Sequence, residues 1–128
     1  MAHGPFVSSA RSHSKALRIT SKSRVMQFAA YTYDVSMGEI LTTLMQGGCV
    51  CVPSEEERMS NLASAVNKLN VNWMFLTPTL AGFLKPADVP RLETLVLGGE
   101  HATKDNIETW AEHVYLINSY GKPLLLKL

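Results

Sequence analysis

The hydrophobic positions of this chain fall into two kinds of segment that alternate along the sequence. One kind is a short, continuously apolar run, such as residues 49–52, and it predicts a strand buried on both faces. The other kind carries an apolar stripe at helical spacing, as Leu62, Val66 and Leu69 do. The runs predict strands at residues 24–28, 49–52, 73–76, 94–97 and 114–118. The stripes predict helices at residues 9–17, 36–46 and 103–111, one after Ser54 and one after Thr77.

The starts of three predicted helices carry capping signals. Ser36 is followed three residues later by Glu39, which is the pattern of a capping box, where two side chains bond the free backbone amides of a helix start. Ser54 begins a second pattern of the same kind. Thr77 precedes Pro78, and proline is favoured at the first position of a helix. These signals divide the chain into regularly alternating strands and helices.

Doubly buried strands that are separated by helices indicate an α/β fold, with a parallel sheet and alternating helices. Connections between parallel strands are right-handed, so the chain winds in one sense on each face of the sheet. Ligands in open sheets of this class bind outside the carboxyl ends of the strands. The segments predicted to bind a ligand are therefore residues 31–36, 77–79, 98–100 and 118–121.

Composition narrows the class of protein. The 128 residues suffice for one domain or for part of a larger one, and 46% hydrophobic against 18% charged residues is a globular balance. Twelve basic and 11 acidic residues give a net charge of +1, which argues against binding to nucleic acid. No stretch approaches the ~20 apolar residues of a membrane span. We therefore expect no membrane partner. Cys49 and Cys51 are too close in sequence to form a disulfide framework, which is typical of a reducing compartment, so we expect a cytoplasmic protein.

Asp34 and the pair Gly98-Gly99 are candidate ligand contacts at predicted strand ends. A carboxylate at Asp34 could hold a ligand ammonium group, or it could be a helix-start residue that favours the positive end of the dipole. The two glycines would let the backbone approach a planar or phosphorylated ligand, or they form an ordinary turn. Spacing alone leaves both alternatives open.

The segment 118–121 is a third candidate. Its asparagine could read the edge of a base and its tyrosine could stack on the face, but Asn, Ser and Gly are also common turn residues. The four histidines lack metal-ligand spacing, and neither a nucleophile elbow nor a Walker-type phosphate loop is present in the sequence. We therefore predict no catalytic residue and no metal ligand within this chain.

The same strand-end segments resemble, in order and spacing, the motifs of nonribosomal peptide synthetase adenylation domains, which belong to the adenylate-forming (AMP-dependent synthetase/ligase) family. Gln27 to Ser36 with Glu39-Ile40 resembles the family's Phe-Asp-x-Ser region. Residues 76–79 resemble its next turn, residues 95–100 its adenine-side loop, and residues 116–121 the start of its Asn-x-Tyr-Gly-Pro-Thr-Glu motif. Residues 47–58 most resemble filamentous-fungal members. The implied fold is part of the N-terminal subdomain of adenylate-forming enzymes.

The resemblance implies a chemistry. The family activates an amino acid with ATP and Mg²⁺, forming an aminoacyl-adenylate and pyrophosphate, in the synthesis of secondary-metabolite peptides. The acyl group then passes to the phosphopantetheine thiol of a carrier domain. Amino acid, ATP or AMP, and carrier or other synthetase domains are the implied partners.

The resemblance also assigns roles to residues at the strand ends. Asp34 would pair with the α-ammonium group, which favours an α-amino acid over an aryl or hydroxy acid. Gly99 and Glu100 would present backbone to the adenine, Asn118 would bond its amino edge, and Tyr120, with Gly121 beside it, would lie against the ring. The side-chain pocket would be apolar apart from one hydroxyl, so we expect an apolar substrate side chain. The implied lining residues are Val35, Gly38, Phe75, Val96, Gly98 and Ser119.

The sequence departs from the family pattern at both ends. The family's phosphate loop would precede residue 3, and residues 122–128 replace the expected Pro-Thr-Glu, so we divide the chain into a partial adenylation domain at 3–121 and a divergent tail at 122–128. The resemblance places the Mg²⁺-binding glutamate, the ribose-binding aspartate and the catalytic lysine outside this sequence. We expect a fragment that is inactive alone, with a half-enzyme completed by another chain and a non-catalytic binding module as alternatives. We also expect the last predicted strand to lack a downstream neighbour, which would make the chain poorly soluble.

Overall fold

A computed structural model describes residues 3–119 and the backbone of residues 124–126. A six-stranded sheet in the order β2-β1-β3-β4-β5-β6 forms its centre, and its first five strands are parallel. The predicted α/β fold with a parallel sheet and alternating helices is confirmed, although the first strand is shorter than the predicted 24–28. The strands are β1 (Arg24–Met26), β2 (Cys49–Cys51), β3 (Trp73–Leu76), β4 (Thr94–Leu97), β5 (Tyr115–Asn118) and β6 (Leu124–Leu126).

Helices connect the parallel strands. The first begins earlier than residue 9, and the single helix expected after Ser54 is two helices because Asn61 leaves the helical region with φ −152° and ψ 61°. Residues 35–45 form one continuous helical stretch with a π-helical middle, called the 35–45 helix below. The helices are α1 (His3–Ala16), α2 (Val35–Met37), the π segment (Gly38–Thr42), α3 (Thr43–Met45), α4 (Glu55–Ser60), α5 (Leu62–Lys68), α6 (Pro78–Ala81), the 3₁₀ turn (Pro86–Asp88) and α7 (Lys104–Trp110).

Two of the three predicted caps form. The side chains of Ser54 and Thr77 accept hydrogen bonds from backbone amides in the first turns of α4 and α6. The predicted capping box at Ser36 and Glu39 is wrong. The helix begins one residue earlier, with Asp34 at the N-cap position, so the Ser36 hydroxyl lies inside the first turn and donates to the Tyr33 carbonyl at 2.8 Å. Glu39 is thereby left for another role.

The sheet buries a different apolar cluster on each face, as the two-residue period of strands requires. The larger cluster joins Met74, Leu95 and Leu116 to Trp110 of α7. The smaller cluster lies on the opposite face, where Trp73, Val96 and Ile117 pack with Val25 and with residues that follow α1. The indole nitrogen of Trp73 donates to the Leu17 carbonyl at 2.7 Å, which fastens the end of α1 to the sheet.

The sixth strand overturns one expectation. β6 pairs antiparallel with β5, with Asn118 opposite Leu124 and Leu116 opposite Leu126. A hydrogen-bonded neighbour therefore covers the edge of β5, which we had expected to be bare. The apolar run at the carboxyl end of the chain suits such pairing, but a sequence pattern does not reveal which strand a short run joins. Over the described residues, no helix has the length and apolarity needed to cross a bilayer.

Candidate functional site

The predicted site segments meet along one edge of the sheet, because the carboxyl ends of parallel strands point the same way. The register pairs Leu76 of β3 with Leu97 of β4, and Leu97 with Asn118 of β5. The residues that directly follow these strands therefore lie side by side at the carboxyl edge of the sheet, and they are Thr77, Gly98 and Ser119. The amide of Gly98 donates to the Leu76 carbonyl at 3.2 Å, and the amide of Ser119 donates to the Leu97 carbonyl at 2.7 Å, so the ladder continues into these residues.

Neighbouring side chains approach the backbone of this edge very closely at Gly98. An ideal Cβ built on Gly98 would lie 2.5 Å from Phe75 Cζ and 2.5 Å from Ser119 Oγ, distances that real Cβ atoms essentially never show. Glycine therefore allows the side chains of the two neighbouring strands to close over the backbone of β4. Three residues predicted to line one pocket, Phe75, Gly98 and Ser119, are brought together here. Val96 lies two residues earlier on the same face and is fully buried in the smaller apolar cluster.

The segment after β1 carries Asp34, which was predicted to meet the amino group, and Val35 and Gly38, which were predicted to line the side-chain pocket. Asp34 is exposed at the N-cap position of the 35–45 helix, and its side chain makes no capping hydrogen bond. Val35 and Gly38 follow in the first turns, both half-buried, and no heavy atom lies within 4 Å of a Cβ built on Gly38. Asp34 thus stands at a helix start, as the alternative expected, although its side chain makes no capping hydrogen bond there.

Residues 28–34, called the Asp34 loop below, connect β1 to this helix and approach the adenine-side loop. The hydroxyl of Tyr33 lies 3.7 Å from the position of a Cβ on Gly99. Gly99 has φ +83°, a left-handed conformation that favours glycine. Sequence reasoning missed Tyr33, and only its place beside Asp34 marks it. This approach joins two segments that had been predicted to bind different parts of a ligand.

Glu39 lies at the base of the Asp34 loop and is 1% exposed. Its Oε1 accepts hydrogen bonds from the amides of Phe28 at 3.2 Å and Ala29 at 3.0 Å. Burial raises the pKa of Glu39 to about 7, and the two backbone bonds and the charge of Arg58 only partly oppose that rise. Sequence reasoning missed this role because the spacing from Ser36 matched a capping box. The buried carboxylate instead fastens the helix to the loop that carries Asp34.

Gln27 and Arg58 complete the surroundings of Glu39. The Gln27 amide nitrogen donates to the Ala29 carbonyl at 2.7 Å and lies 3.5 Å from Glu39 Oε1. The Gln27 oxygen in turn accepts from Arg58 Nη2 at 3.3 Å, so a neutral amide stands between the cation and the carboxylate. The nearest cation therefore compensates the charge of Glu39 only in part.

Glu100 holds the adenine-side loop against the start of α6. Its Oε2 accepts from the Thr79 amide at 3.1 Å and from the Thr79 hydroxyl at 2.6 Å. The side chain is thus engaged with α6, and the backbone of residues 98–100 is the part of this loop that can face a ligand. Asn118 is half-buried at the end of β5. Tyr120 and Gly121, the other predicted adenine contacts, lie outside the described residues.

Asn106 links α7 to the start of α6, and we expect its replacement to lower the stability of the fold. Its Oδ1 accepts from the Thr103 amide at 3.0 Å, which is the reciprocal bond of a capping box, and its Nδ2 donates to the Pro78 carbonyl at 3.1 Å. Asn106→Ala should lower the free energy of unfolding by about 1–2 kcal/mol, because it removes this bond of the capping box and leaves a buried carbonyl without its donor. Urea denaturation measures the change. Asn67→Ala, which removes an exposed bond to the Asp88 carbonyl, is the matched control, and equal losses in both variants would contradict the expectation.

A large groove lies away from the predicted site. A groove of about 1450 Å³ lies at the opposite edge, along the amino ends of the strands, and includes Arg18, Trp73 and Tyr115. A smaller depression of about 340 Å³ beside α6 and α7 includes Glu100. The candidate site is the carboxyl edge, where the loops converge, because ligands of open parallel sheets bind at that edge. Within residues 3–119, no group of three or more His, Cys, Asp or Glu side chains is placed to hold a metal ion.

Comparison with protein sequences gives one family and a consistent set of relatives. The sequence model of the family described as AMP-binding enzyme matches residues 1–122. The chain is 58% identical over 119 residues to nonribosomal peptide synthetase atnA of Emericella nidulans, covering 93% of this chain and 2% of that protein. It is 53% identical over 121 residues to nonribosomal peptide synthetase 13 of Aspergillus fumigatus, covering 94% of this chain and 6% of that protein. The chain thus spans a few per cent of the length of these relatives.

Solved structures show the same fold. The Vibrio cholerae adenylation domain AlmE, in complex with glycyl-adenosine-5′-phosphate, matches with a TM-score of 0.76 and 24% identity over 88% of this chain and 23% of that one. The Klebsiella oxytoca NpsA N-terminal subdomain, in complex with anthranilyl-AMSN, matches with a TM-score of 0.73 and 18% identity over 88% and 33%. Holo-PA1221, a protein containing adenylation and PCP domains, matches with a TM-score of 0.70 and 21% identity over 83% and 20%.

Proposed function

Because this chain belongs to the AMP-binding enzyme family, we propose that it forms the amino-acid-binding and adenine-binding edge of an adenylation site in a nonribosomal peptide synthetase. The observation that carries the proposal is Gly98, whose Cβ position is filled by Phe75 and Ser119 at the end of β4. This close approach shapes the surface of the carboxyl edge, where ligands of open parallel sheets bind. The 58% identity with a fungal synthetase supports the same assignment.

Asp34 would bind the α-ammonium group of the amino acid. Its carboxylate is exposed at the end of the Asp34 loop and is not used as a helix cap, so it can pair with a ligand cation. Hydrogen bonds between ionised groups are about twice as strong as neutral ones, which suits a contact that distinguishes an amino acid from a simple carboxylic acid. This role selects an α-amino acid as the substrate class.

The substrate side chain would lie against Phe75 and Ser119, with Val35 and Gly38 on the helix side and Val96 below Gly98. The hydroxyl of Ser119 donates to the Leu97 carbonyl at 3.2 Å, so its hydrogen is already used within the sheet. A pocket whose one hydroxyl donates elsewhere offers little to a polar side chain. We therefore propose an apolar amino acid as the substrate.

The backbone of Gly99 and Glu100, together with Asn118, would hold the adenine of ATP, and the resemblance adds Tyr120 and Gly121. The left-handed conformation of Gly99 turns the chain so that its backbone lies open at this edge. ATP supplies the adenylyl group that activates the carboxylate. The residues of this chain bind and orient the amino acid and the base, and we derive no step through magnesium.

We extend the proposal to the partner and the location of the whole protein. Adenylation domains pass the acyl group to a phosphopantetheine carrier, and the matching protein PA1221 contains adenylation and PCP domains in one chain. We propose a carrier domain as the partner and a role in secondary-metabolite peptide synthesis. Cys49 is an exposed free thiol and Cys51 a buried one. Because exposed free thiols persist in reducing compartments, we propose a cytoplasmic location.

An adenylate analogue that carries or lacks the amino group tests the role of Asp34. We expect the chain to bind a leucyl-sulfamoyl adenosine, seen as amide shifts around residues 98–100 in an NMR titration. Asp34→Asn should weaken this binding about 30-fold through loss of one charge-assisted bond, and should leave the affinity of the desamino analogue unchanged. Asp88→Asn, another exposed aspartate, is the matched control. Absence of binding by the unaltered chain, or equal weakening of both analogues, would refute the proposed function.

A further inference from the structure

Glu39 connects the 35–45 helix to the start of the Asp34 loop. The amides of Phe28 and Ala29, which begin this loop, donate to the Glu39 carboxylate, that of Ala29 to Oε1 and that of Phe28 to Oε1 and Oε2 at 3.2 and 3.3 Å. The loop ends at Asp34, at the start of the same helix. The segment is therefore held at both ends by one helical element. A change at Glu39 acts on the geometry of the loop without contact with any ligand.

The charged groups around Glu39 come from two packed elements. Arg58 of α4 donates to Gln27, and its Nη1 lies 3.6 Å from Glu55 Oε1, so its guanidinium group is shared between these two side chains. On the other side, α1 packs against the 35–45 helix, and His13 Nε2 lies 3.0 Å from the Thr42 hydroxyl. Burial lowers the pKa of His13 below its ordinary 6.5, whereas burial raises the pKa of Glu39 to about 7. Burial therefore shifts the two pKa values in opposite directions from their ordinary values.

We propose that Glu39 is a positioning residue whose ionised carboxylate fixes the Asp34 loop and whose protonation loosens it. The inference rests on the proposed function for the consequence at Asp34. An ionised carboxylate accepts from both amides with charge-assisted bonds, whereas a carboxylic acid keeps one good acceptor and adds an O–H that needs a partner. One proton per chain is taken up as the loop loosens. Amino-acid affinity should therefore fall about fivefold between pH 8 and pH 6.

Amide chemical shifts of the ligand-free chain test the coupling directly. Between pH 5 and pH 8.5, the amides of Phe28 and Ala29 should titrate with a midpoint near 7, and those of Tyr33 and Asp34 should follow the same midpoint. In Glu39→Gln, which keeps one oxygen acceptor, all four amides should lose this transition. His13→Gln is the control, because it should remove only a transition at lower pH. Insensitive Tyr33 and Asp34 amides in the unaltered chain would show that Glu39 has a structural role only.

A second variant keeps the test decisive if Glu39→Gln does not fold. Arg58→Met removes the cation that lowers the pKa of Glu39, so the midpoint seen at Phe28 and Ala29 should move upward. An unchanged midpoint would overturn the proposal. Because these measurements use no ligand, their result is independent of adenylate binding. A titrating loop in a chain that binds no adenylate analogue would refute the proposed function and leave the role of Glu39 in the loop standing.

Discussion

Replacing Gly98 with alanine should lower the free energy of unfolding by about 2–3 kcal/mol, near the upper end of the usual overpacking cost. The added methyl group would meet Phe75 Cζ and Ser119 Oγ, each 2.5 Å away. Relief requires the phenyl ring to tilt and the Ser119 hydroxyl to leave the Leu97 carbonyl, and each movement forfeits a contact that the native state has. Thermal and urea unfolding of the two proteins measure the loss.

Gly38 offers a matched control for this substitution. It is also a proposed pocket residue, but it lies in helical conformation with no heavy atom within 4 Å of a built Cβ. Gly38→Ala should therefore stabilise the chain by about 0.5–1 kcal/mol through helix propensity. In the Gly98→Ala background, Phe75→Leu removes the ring atom that clashes and should restore part of the stability. Equal effects at Gly98 and Gly38, or no rescue by Phe75→Leu, would contradict the crowding that we infer around Gly98.

The second large effect concerns stability as a function of pH. The folded chain holds the proton of Glu39 with a pKa of about 7, above the ordinary value of 4.5. A carboxyl group with a raised pKa favours the folded state most at low pH, and this contribution disappears as pH rises from 4.5 through 7. Relative to Glu39→Gln, the unaltered chain should therefore lose about 3 kcal/mol of stability between pH 4.5 and pH 8.

Denaturation curves of both proteins at several pH values give this difference. His13 contributes in the opposite direction, because burial lowers the pKa of its ring and its stabilisation is lost as pH falls. Both proteins carry His13, so subtraction removes its contribution. Parallel stability curves for the unaltered chain and Glu39→Gln would rule out a buried, titrating carboxylate. The ionised form that we propose to fix the Asp34 loop is thus also the form that destabilises the fold, as is common at functional sites.

The sequence predicted the features that depend on neighbouring residues. The runs at 73–76 and 94–97 became strands at those positions, and the Thr77 cap formed, because buried apolar runs and N-caps are local signals. The converging loops also followed, since a parallel sheet places its carboxyl ends together. The roles proposed for Asp34 and its neighbours stay predictions until a ligand is bound.

Features that depend on contacts distant in sequence escaped prediction. Glu39 matched a capping box by spacing, yet its partners are the amides of Phe28 and Ala29 on the preceding strand end. The pairing of β6 with β5 was missed because the partner of a short apolar run is set by the turn and by the strands already placed. The bonds from Glu100 to Thr79 join two loops whose proximity appears only after the sheet has assembled.

The strand order has one further consequence. The chain moves from β1 outward to β2 and then returns past β1 to β3, so its direction of progress reverses between these two central strands. β1 and β3 are registered at Val25 and Trp73 and bonded from Asn72 to Arg24, near their amino ends, whereas β3 and β4 pair through four residues. The pairing of β1 with β3 is thus the shortest among the parallel strands described. In open α/β sheets, such a reversal of strand order is a topological switch point, and it leaves a crevice outside the carboxyl ends of the two strands.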